Sequence, residues 1–112
     1  MIGASPFEVV SEPQPDGARL RLAGELDIAT APALEAAVDT ALKRGAQRLL
    51  IDLGGLSFVD SSGLRLFIIL NERAGNEGWT LHMTRPSGAP MSVFRLTGAE
   101  ENLPFIEDSS SQ

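Results

Sequence analysis

The residues best suited to chemistry are Asp60, Ser61 and Ser62, which precede Gly63 in a polar run between two apolar segments. Asp and Ser often cap helices, because their side-chain oxygens accept hydrogen bonds from the unpaired N–H groups of the first turn. A helix N-terminus also stabilises phosphate, and two adjacent hydroxyls exceed what one cap needs. Gly63 could let another molecule's backbone approach. The run is either a cap alone or a site for phosphate and partner binding.

Enzyme catalysis at this run is a weaker interpretation. The single histidine, His82, falls on the polar face of a predicted strand, and no pattern brings it to Ser61. There is no G-x-S-x-G turn, and Gly54-Gly55 lacks the spacing of nucleotide-binding loops. Three aspartates could hold a metal in principle, but scattered aspartates are normally just loop residues: Asp27, Asp52 and Asp60. We therefore expect no enzyme activity, no cofactor and no metal site.

The composition of the chain limits the kinds of molecule that it is expected to bind. The 112 residues suffice for one domain, and no apolar run is long enough to span a bilayer. A net charge of −6, with the nine basic residues scattered, argues against nucleic acid and against anionic membranes. The absence of cysteine excludes disulfides and thiolate metal sites. The N-terminus shows no signal sequence, so we expect a cytoplasmic protein whose partner is another protein.

An alternation of strands and helices must position the serine turn. Residues 7–10 and 19–22 predict a hairpin around a turn at 12–17, with Leu20 and Leu22 facing the core and the neighbouring arginines facing water. A helix should follow, capped by Thr30, with Pro32 in its first turn and Gly45 as its stop, and with an apolar stripe formed by Leu34, Val38, Ala41 and Leu42.

The central stretch divides into three parts. Residues 49–53 predict a strand buried on both faces, 54–63 a crossover, and 64–74 a largely buried helix closed by Gly75. The helix has two apolar stripes, Leu64, Phe67 and Ile68 on one and Leu66, Ile69 and Leu70 on the other. Most of this surface should pack inside the protein. The remainder could form a docking face beside Ser61.

The rest of the chain completes an α/β fold. Residues 79–84 predict a half-buried strand, 91–96 a short helix ended by Gly98, and 103–106 an edge strand. We expect a mixed sheet of four or five strands, an N-terminal hairpin followed by parallel crossovers, with three or more helices packed on it. The domain should span residues 1–107, and residues 108–112 should form a disordered polar tail. The predicted core comprises Leu34, Val38, Leu50, Ile51, Leu53, Ile68 and Leu81.

Three segments of the sequence, taken in order, form a recognisable set. Residues 22–27 read LAGELD, residues 50–53 and 56–64 read LIDL and LSFVDSSGL, and residues 85–98 begin with RP and end with FRLTG. This set resembles the bacterial anti-sigma factor antagonists, which are stand-alone STAS domains (sulphate transporter and anti-sigma factor antagonist). The first segment resembles the family's L-x-G-E-L-D segment, the second its central strand and D-S-S-G-L turn, and the third the late stretch that ends in a small helix and a glycine. The resemblance extends over nearly the whole chain.

The resemblance implies a partner-switching function. The unphosphorylated domain would bind an anti-sigma factor that is also a serine kinase, and so release a sigma factor. Phosphorylation of the serine after the turn's aspartate, here Ser61, would end binding, and a serine phosphatase would restore it. The partner-binding and phosphosite environment would include Asp27, Asp60, Ser62, Gly63, Leu64 and Arg65. The protein would be a monomer or weak dimer that neither binds nucleic acid nor inserts into membranes.

Two further expectations follow from the family pattern. Asp27 should lie beside Ser61, because neighbouring strand-to-helix loops gather at one end of such a sheet. Arg65 departs from the pattern by adding a bulky cation beside the site, which could alter partner choice. Other STAS domains act outside sigma regulation, so the alternative function is an adaptor such as the small subunit of a phospholipid-trafficking ABC transporter.

Overall fold

The computed structural model describes residues 7–107, which form a five-stranded mixed sheet with four helices. The elements in chain order are β1 (Phe7–Gln14), β2 (Gly17–Leu26), α1 (Ala31–Lys43), β3 (Arg48–Val59), α2 (Ser61–Glu77), β4 (Thr80–Thr84), α3 (Ala89–Leu96), α4 (Ala99–Asn102) and β5 (Phe105–Ile106). Strand order follows chain order; β1 and β2 are antiparallel and the remaining pairs are parallel. The predicted fold class is confirmed. The tail 108–112 lies outside the described residues, as do residues 1–6 of the predicted domain.

The core lies between one face of the sheet and the helices. Leu20 of β2 pairs with Ile51 of β3, which pairs with Met83 of β4, and all three side chains are fully buried. Leu34 of α1 and Phe67 of α2 belong to the same buried cluster. Because successive strand residues point to opposite faces, the residues between these core positions form a second face of the sheet, which those buried apolar side chains do not cover.

The predicted core is confirmed at five positions: Leu34, Val38, Ile51, Leu53 and Leu81. Leu50 is only partly buried, since it lies on the second face of the sheet. The prediction for Ile68 is wrong, because its side chain is 43% exposed. The helix α2 packs inward through Leu64, Leu66, Phe67, Leu70 and Ala74, which turns Ile68 outward.

The hairpin is confirmed, but its turn is shorter than predicted. Strand β1 continues through Pro13 and Gln14, which pair with Ala18 and Gly17. Proline is tolerated there because β1 lies at the edge of the sheet. An edge strand has no neighbour on its outer side, so proline costs no hydrogen bond to a second strand there. The prediction that both arginines of β2 face water holds for Arg21 and is wrong for Arg19, whose side chain is 14% exposed.

The two boundaries around the serine turn also differ from the prediction. Residues 54–59 are not a crossover but the second half of β3, paired with β2 through two register shifts. Helix α2 starts at Ser61, passes Gly75 and ends at Gly78, which has a φ of +81°. A glycine inside a helix costs only about 1 kcal/mol, which packing of the rest of α2 offsets. The short helix α4 was not predicted.

Candidate functional site

Helix α2 begins with a side-chain cap supplied by Asp60. Its Oδ1 accepts hydrogen bonds from the backbone N–H groups of Ser62 at 2.9 Å and Gly63 at 3.1 Å. The backbone of Asp60 is extended, with φ −110° and ψ −172°, as is typical of a residue at this position. Its carbonyl accepts the first bond of the helix from Leu64 N at 3.0 Å. The cap of α2 is therefore the aspartate, not a serine.

The two serine hydroxyls have no part in that cap. Ser61 is the first residue of α2 and is exposed, whereas Ser62 is half-buried. Neither hydroxyl makes a hydrogen bond to any residue between 7 and 107. A group added to the Ser61 oxygen would thus break no hydrogen bond within the described chain. This is the property that a modification site needs.

Gly63 has a packing role within the protein that the sequence did not indicate. The residue is buried, and a β-carbon there would lie 2.7 Å from Val59 Cγ2 and 3.0 Å from Leu26 Cδ2. Glycine therefore allows the first turn of α2 to approach the ends of β2 and β3. The predicted place of Gly63 in the partner-binding environment stays a prediction.

Asp27 lies at the same end of the sheet as the serine turn. Leu26 pairs with Val59, and the N–H of Asp60 donates to the carbonyl of Leu26 at 3.2 Å. Asp27 follows one of these paired residues and Asp60 the other, so the two loops are neighbours. That part of the expectation about Asp27 is consistent with the strand pairing; the contact between Asp27 and Ser61 stays a prediction.

The side chain of Asp27 organises the turn into α1. Its Oδ1 accepts from the N–H groups of Ala29 at 2.9 Å and Thr30 at 3.1 Å. Thr30 occupies the cap position, but the prediction that its side chain caps α1 is wrong. Its hydroxyl instead donates to the carbonyl of Glu25 at 2.8 Å and accepts from the N–H of Asp27 at 2.9 Å. The result is a fixed turn that holds Ile28 in solvent.

Several large apolar side chains are exposed on segments that flank Ser61, and no sequence pattern predicted the exposure of Ile28 or Phe58. Ile28 in the β2–α1 turn is 77% exposed, Phe58 near the end of β3 is 46% exposed, and Ile68 and Ile69 on α2 are 43% and 38% exposed. Ile68 shares a helix face with Ser61 and Arg65 by its spacing, whereas Leu64 is buried. Exposed apolar side chains beside a modifiable hydroxyl are typical of a docking surface.

A second polar cluster lies on the other face of the sheet. Asp52 Oδ2 accepts from Arg19 Nη2 at 2.7 Å, and its Oδ1 accepts from Gly54 N at 2.8 Å and Thr84 Oγ1 at 3.1 Å. Burial alone would raise the pKa of this carboxyl, but the hydrogen bonds from Gly54, Arg19 and Thr84 together lower it below 3.8. No pattern in the sequence indicated this cluster, because its residues are brought together by the parallel pairing of β2 with β3.

The remaining candidates for catalysis or metal binding are dispersed. His82 on β4 pairs with Leu50, at the opposite end of β3 from Ser61. Asp52 is bound to Arg19, while Asp27 and Asp60 each accept backbone hydrogen bonds. Within residues 7–107 no group of three or more His, Asp or Glu side chains is arranged to hold a metal ion. No helix in the same range is both long and apolar enough to cross a bilayer.

Comparison with known proteins identifies the family. The family model described as "Mlab, STAS domain" matches residues 11–107. The chain therefore belongs to the STAS domain family. Among curated proteins it is similar to the anti-sigma-B factor antagonist of Staphylococcus aureus (strain NCTC 8325 / PS 47), with 27% identity over 82 residues that cover 73% of this chain and 76% of the relative.

Solved structures show the same fold. An anti-sigma factor antagonist from Mycobacterium paratuberculosis superposes with a TM-score of 0.81 and 25% identity, covering 99% of this chain and 94% of that one. The Bacillus cell fate determinant SpoIIAA in its phosphorylated form superposes with a TM-score of 0.68 and 23% identity, covering 95% and 94% of the two chains. The second likeness concerns the fold alone.

Proposed function

We propose that this STAS domain is an anti-sigma factor antagonist whose binding is switched off by phosphorylation of Ser61. One observation carries the proposal: Ser61 is exposed at the first position of α2, with a hydroxyl unused by the described chain because Asp60 supplies the cap. The similarity to anti-sigma factor antagonists over most of the chain supports it. In this role the protein is a regulator rather than an enzyme and acts in the cytoplasm.

The partner in this proposal is an anti-sigma factor that is also a serine kinase, and a serine phosphatase acts transiently to reverse the modification. The unphosphorylated protein, as a monomer or weak dimer, binds the anti-sigma factor through the face of α2 that carries Ser61, Arg65 and Ile68. Ile28 on the adjacent turn extends this face, since its side chain is 77% exposed. Binding covers these apolar side chains and releases the sigma factor.

Charge makes phosphorylation an effective switch. A phosphate adds about −1.5 to −2 charges at pH 7, at an end of the sheet that already has the carboxylates of Asp27 and Asp60. A partner that binds this face would have to desolvate the new charge, and the cost of that desolvation opposes binding. A loss of ~3 kcal/mol in binding free energy would weaken the complex more than a hundredfold. The fold is spared, because the Ser61 hydroxyl makes no hydrogen bond within residues 7–107 that the phosphate must break.

The test compares variants of the two adjacent serines. Ser61→Ala should bind the anti-sigma partner and accept no phosphate, whereas Ser61→Asp should fold but bind at least about tenfold more weakly. Ser62→Ala is the matched control and should behave as the wild type in both respects. Affinity is measured by calorimetry, and phosphate by intact mass after incubation with the kinase and ATP. Phosphate on Ser62 and not on Ser61, or equal affinity of Ser61→Ala and Ser61→Asp, would exclude the switch.

A second pair of variants tests the docking face. Ile68→Ala should weaken binding about tenfold, since the few side chains near the centre of an interface that dominate binding each cost more than about 1 kcal/mol when truncated. Leu96→Ala is the control, because Leu96 is 88% exposed on a different helix. Neither variant should change the thermal midpoint appreciably. An affinity unchanged by Ile68→Ala would exclude docking on this face of α2, and an equal loss in both variants would show that the partner's contact surface is not confined to it.

A further inference from the structure

The cations of this protein divide into those with a carboxylate partner and those without. All nine lysines and arginines lie in the described part of the chain. Five arginines have an ion pair or hydrogen bond to a carboxylate there: Arg19, Arg21, Arg73, Arg85 and Arg95. Lys43, Arg44 and Arg48 lie at the end of α1 and the start of β3, at the opposite end of the sheet from Ser61. Arg65 is the remaining cation.

Arg65 is exposed one helical turn after Ser61 and forms no ion pair with any residue in the range 7–107. Residues four apart in a helix are neighbours on its surface. The Cα–Cβ bonds of a helix also tilt toward its N-terminus, so the side chain of Arg65 starts out toward the turn that holds Ser61, within reach of a group attached there. An acidic group at the earlier position and a cation at the later one is the favourable order for such a pair.

A phosphate on Ser61 would meet a helix N-terminus that is already partly engaged, which favours a cation as its partner. The N–H groups of Ser62 and Gly63 donate to Asp60 Oδ1, so they could bind phosphate only by giving up the cap. The carboxylate of Asp60 also neutralises part of the positive end of the helix dipole. The first turn therefore offers a phosphate less compensation than an uncapped helix would.

We propose that Arg65 is the internal counter-ion of phosphate on Ser61, an inference that rests on the proposed function. The guanidinium donates hydrogen bonds to two phosphate oxygens in the modified protein, and it is solvated and open to a partner in the unmodified one. Phosphorylation then changes the docking face twice: it adds a negative group and withdraws a cation. Arg65 thereby makes the modified domain stable in itself while increasing the difference that the anti-sigma partner detects.

The test installs phosphoserine at position 61 of the full chain by genetic incorporation and follows its second ionisation by ³¹P NMR. A cation beside the phosphate favours the dianion, so the pKa of phosphoserine should be about 0.3 lower in the wild type than in Arg65→Gln. Arg65→Lys should keep part of this difference, because a lysine retains the charge but not the fork of donors. The difference should shrink in ~1 M salt, where surface charges are screened.

Arg44→Gln is the matched control, since it removes the same charge from an exposed position at the far end of the sheet. It should leave the pKa of phosphoserine unchanged. Equal pKa values in the wild type and Arg65→Gln, or the same change in Arg44→Gln, would overturn the proposal. Asp27 and Asp60 lie at the same end of the sheet as Ser61 and are unchanged in all of these variants, so the comparison isolates the contribution of Arg65.

This measurement separates the inference from the function on which it rests. Because the phosphoserine is incorporated without a kinase, the role of Arg65 is measured whether or not a kinase acts on Ser61. A kinase that leaves Ser61 unmodified would exclude the proposed switch. Normal phosphorylation of Ser61 with no effect of Arg65 on the pKa would exclude only the counter-ion.

Discussion

The polar clusters around Asp52 and Ser61 are close in sequence, since Asp52 lies in β3 and Ser61 follows the end of that strand. They differ in how many of their polar atoms form hydrogen bonds. Asp52 is buried, and both of its oxygens accept hydrogen bonds, from Arg19, Gly54 and Thr84. Ser61 is exposed, and its hydroxyl is bonded to no described residue. Both clusters consist of polar residues that flank apolar runs, and their types alone do not distinguish them.

The difference shows which polar group holds the fold and which is available to other molecules. A buried carboxylate is tolerated only when paired and hydrogen-bonded, so a saturated cluster such as that of Asp52 is structural. An exposed hydroxyl beside a completed cap costs nothing to leave unbonded and can react or bind. The following substitutions test this division through the free energy of unfolding, measured by urea denaturation.

The largest effect is expected at Asp52. Asp52→Ala removes a buried carboxylate that accepts hydrogen bonds from Arg19, Gly54 and Thr84, which should lower the free energy of unfolding by about 3 kcal/mol. Asp39→Ala is the control, because Asp39 forms an ion pair with Arg73 at 3.0 Å in a more exposed position. That variant should lose at most about 1 kcal/mol. Similar losses in both would mean that the Asp52 cluster is no more structural than a surface pair.

The same cluster predicts a pH dependence. Because the folded-state pKa of Asp52 is lowered below its ordinary 3.8, its contribution to stability is present above that value and is lost as pH falls through the lower folded-state pKa. The wild type should therefore lose more stability than Asp52→Asn between about pH 4 and pH 2. The measurement is the difference between their urea midpoints across this range. A constant difference would contradict the assignment.

An intermediate effect is expected at the two glycines of α2. In Gly63→Ala the new methyl group would lie 2.7 Å from Val59 Cγ2, and such overpacking typically costs about 1–3 kcal/mol. In Gly75→Ala the new methyl group meets nothing within 4 Å, and alanine is about 1 kcal/mol better than glycine inside a helix. The variants should thus change the thermal midpoint in opposite directions. Stabilisation by Gly63→Ala would show that α2 does not approach β2 and β3 this closely.

The smallest effects are expected at the serine turn itself. Asp60→Ala removes the cap of α2 and should cost about 1 kcal/mol, whereas Asp60→Asn should keep most of it. Ser61→Ala and Ser62→Ala should each lie within about 0.5 kcal/mol of the wild type, as surface substitutions usually do. A larger loss in Ser61→Ala than in Asp60→Ala would place Ser61 with the structural cluster and weaken its proposed role as a switch.

Local patterns in the sequence determined the order of elements and the position of the serine turn. The hairpin, α1, the strand at residues 49–53 and the strand at 80–84 all follow from periodicity and from stop signals such as Gly45, which act over a few residues. The family motif around Ser61 is equally local. These features were predicted because each depends on neighbours along the chain, and the fold class followed from their order.

Tertiary structure decided everything that depends on distant neighbours. Arg19 meets Asp52 across 33 positions of sequence because β2 and β3 pair in parallel, and no local pattern specifies that pairing. Residues 54–59 remain a strand because β2 is long enough to pair with them, despite two glycines. Ile68 is exposed because α2 packs through its other apolar side chains. Burial and pairing are properties of surfaces brought together by folding. The sequence alone therefore named Ser61, and only the fold showed that no residue between 7 and 107 forms a hydrogen bond with its hydroxyl.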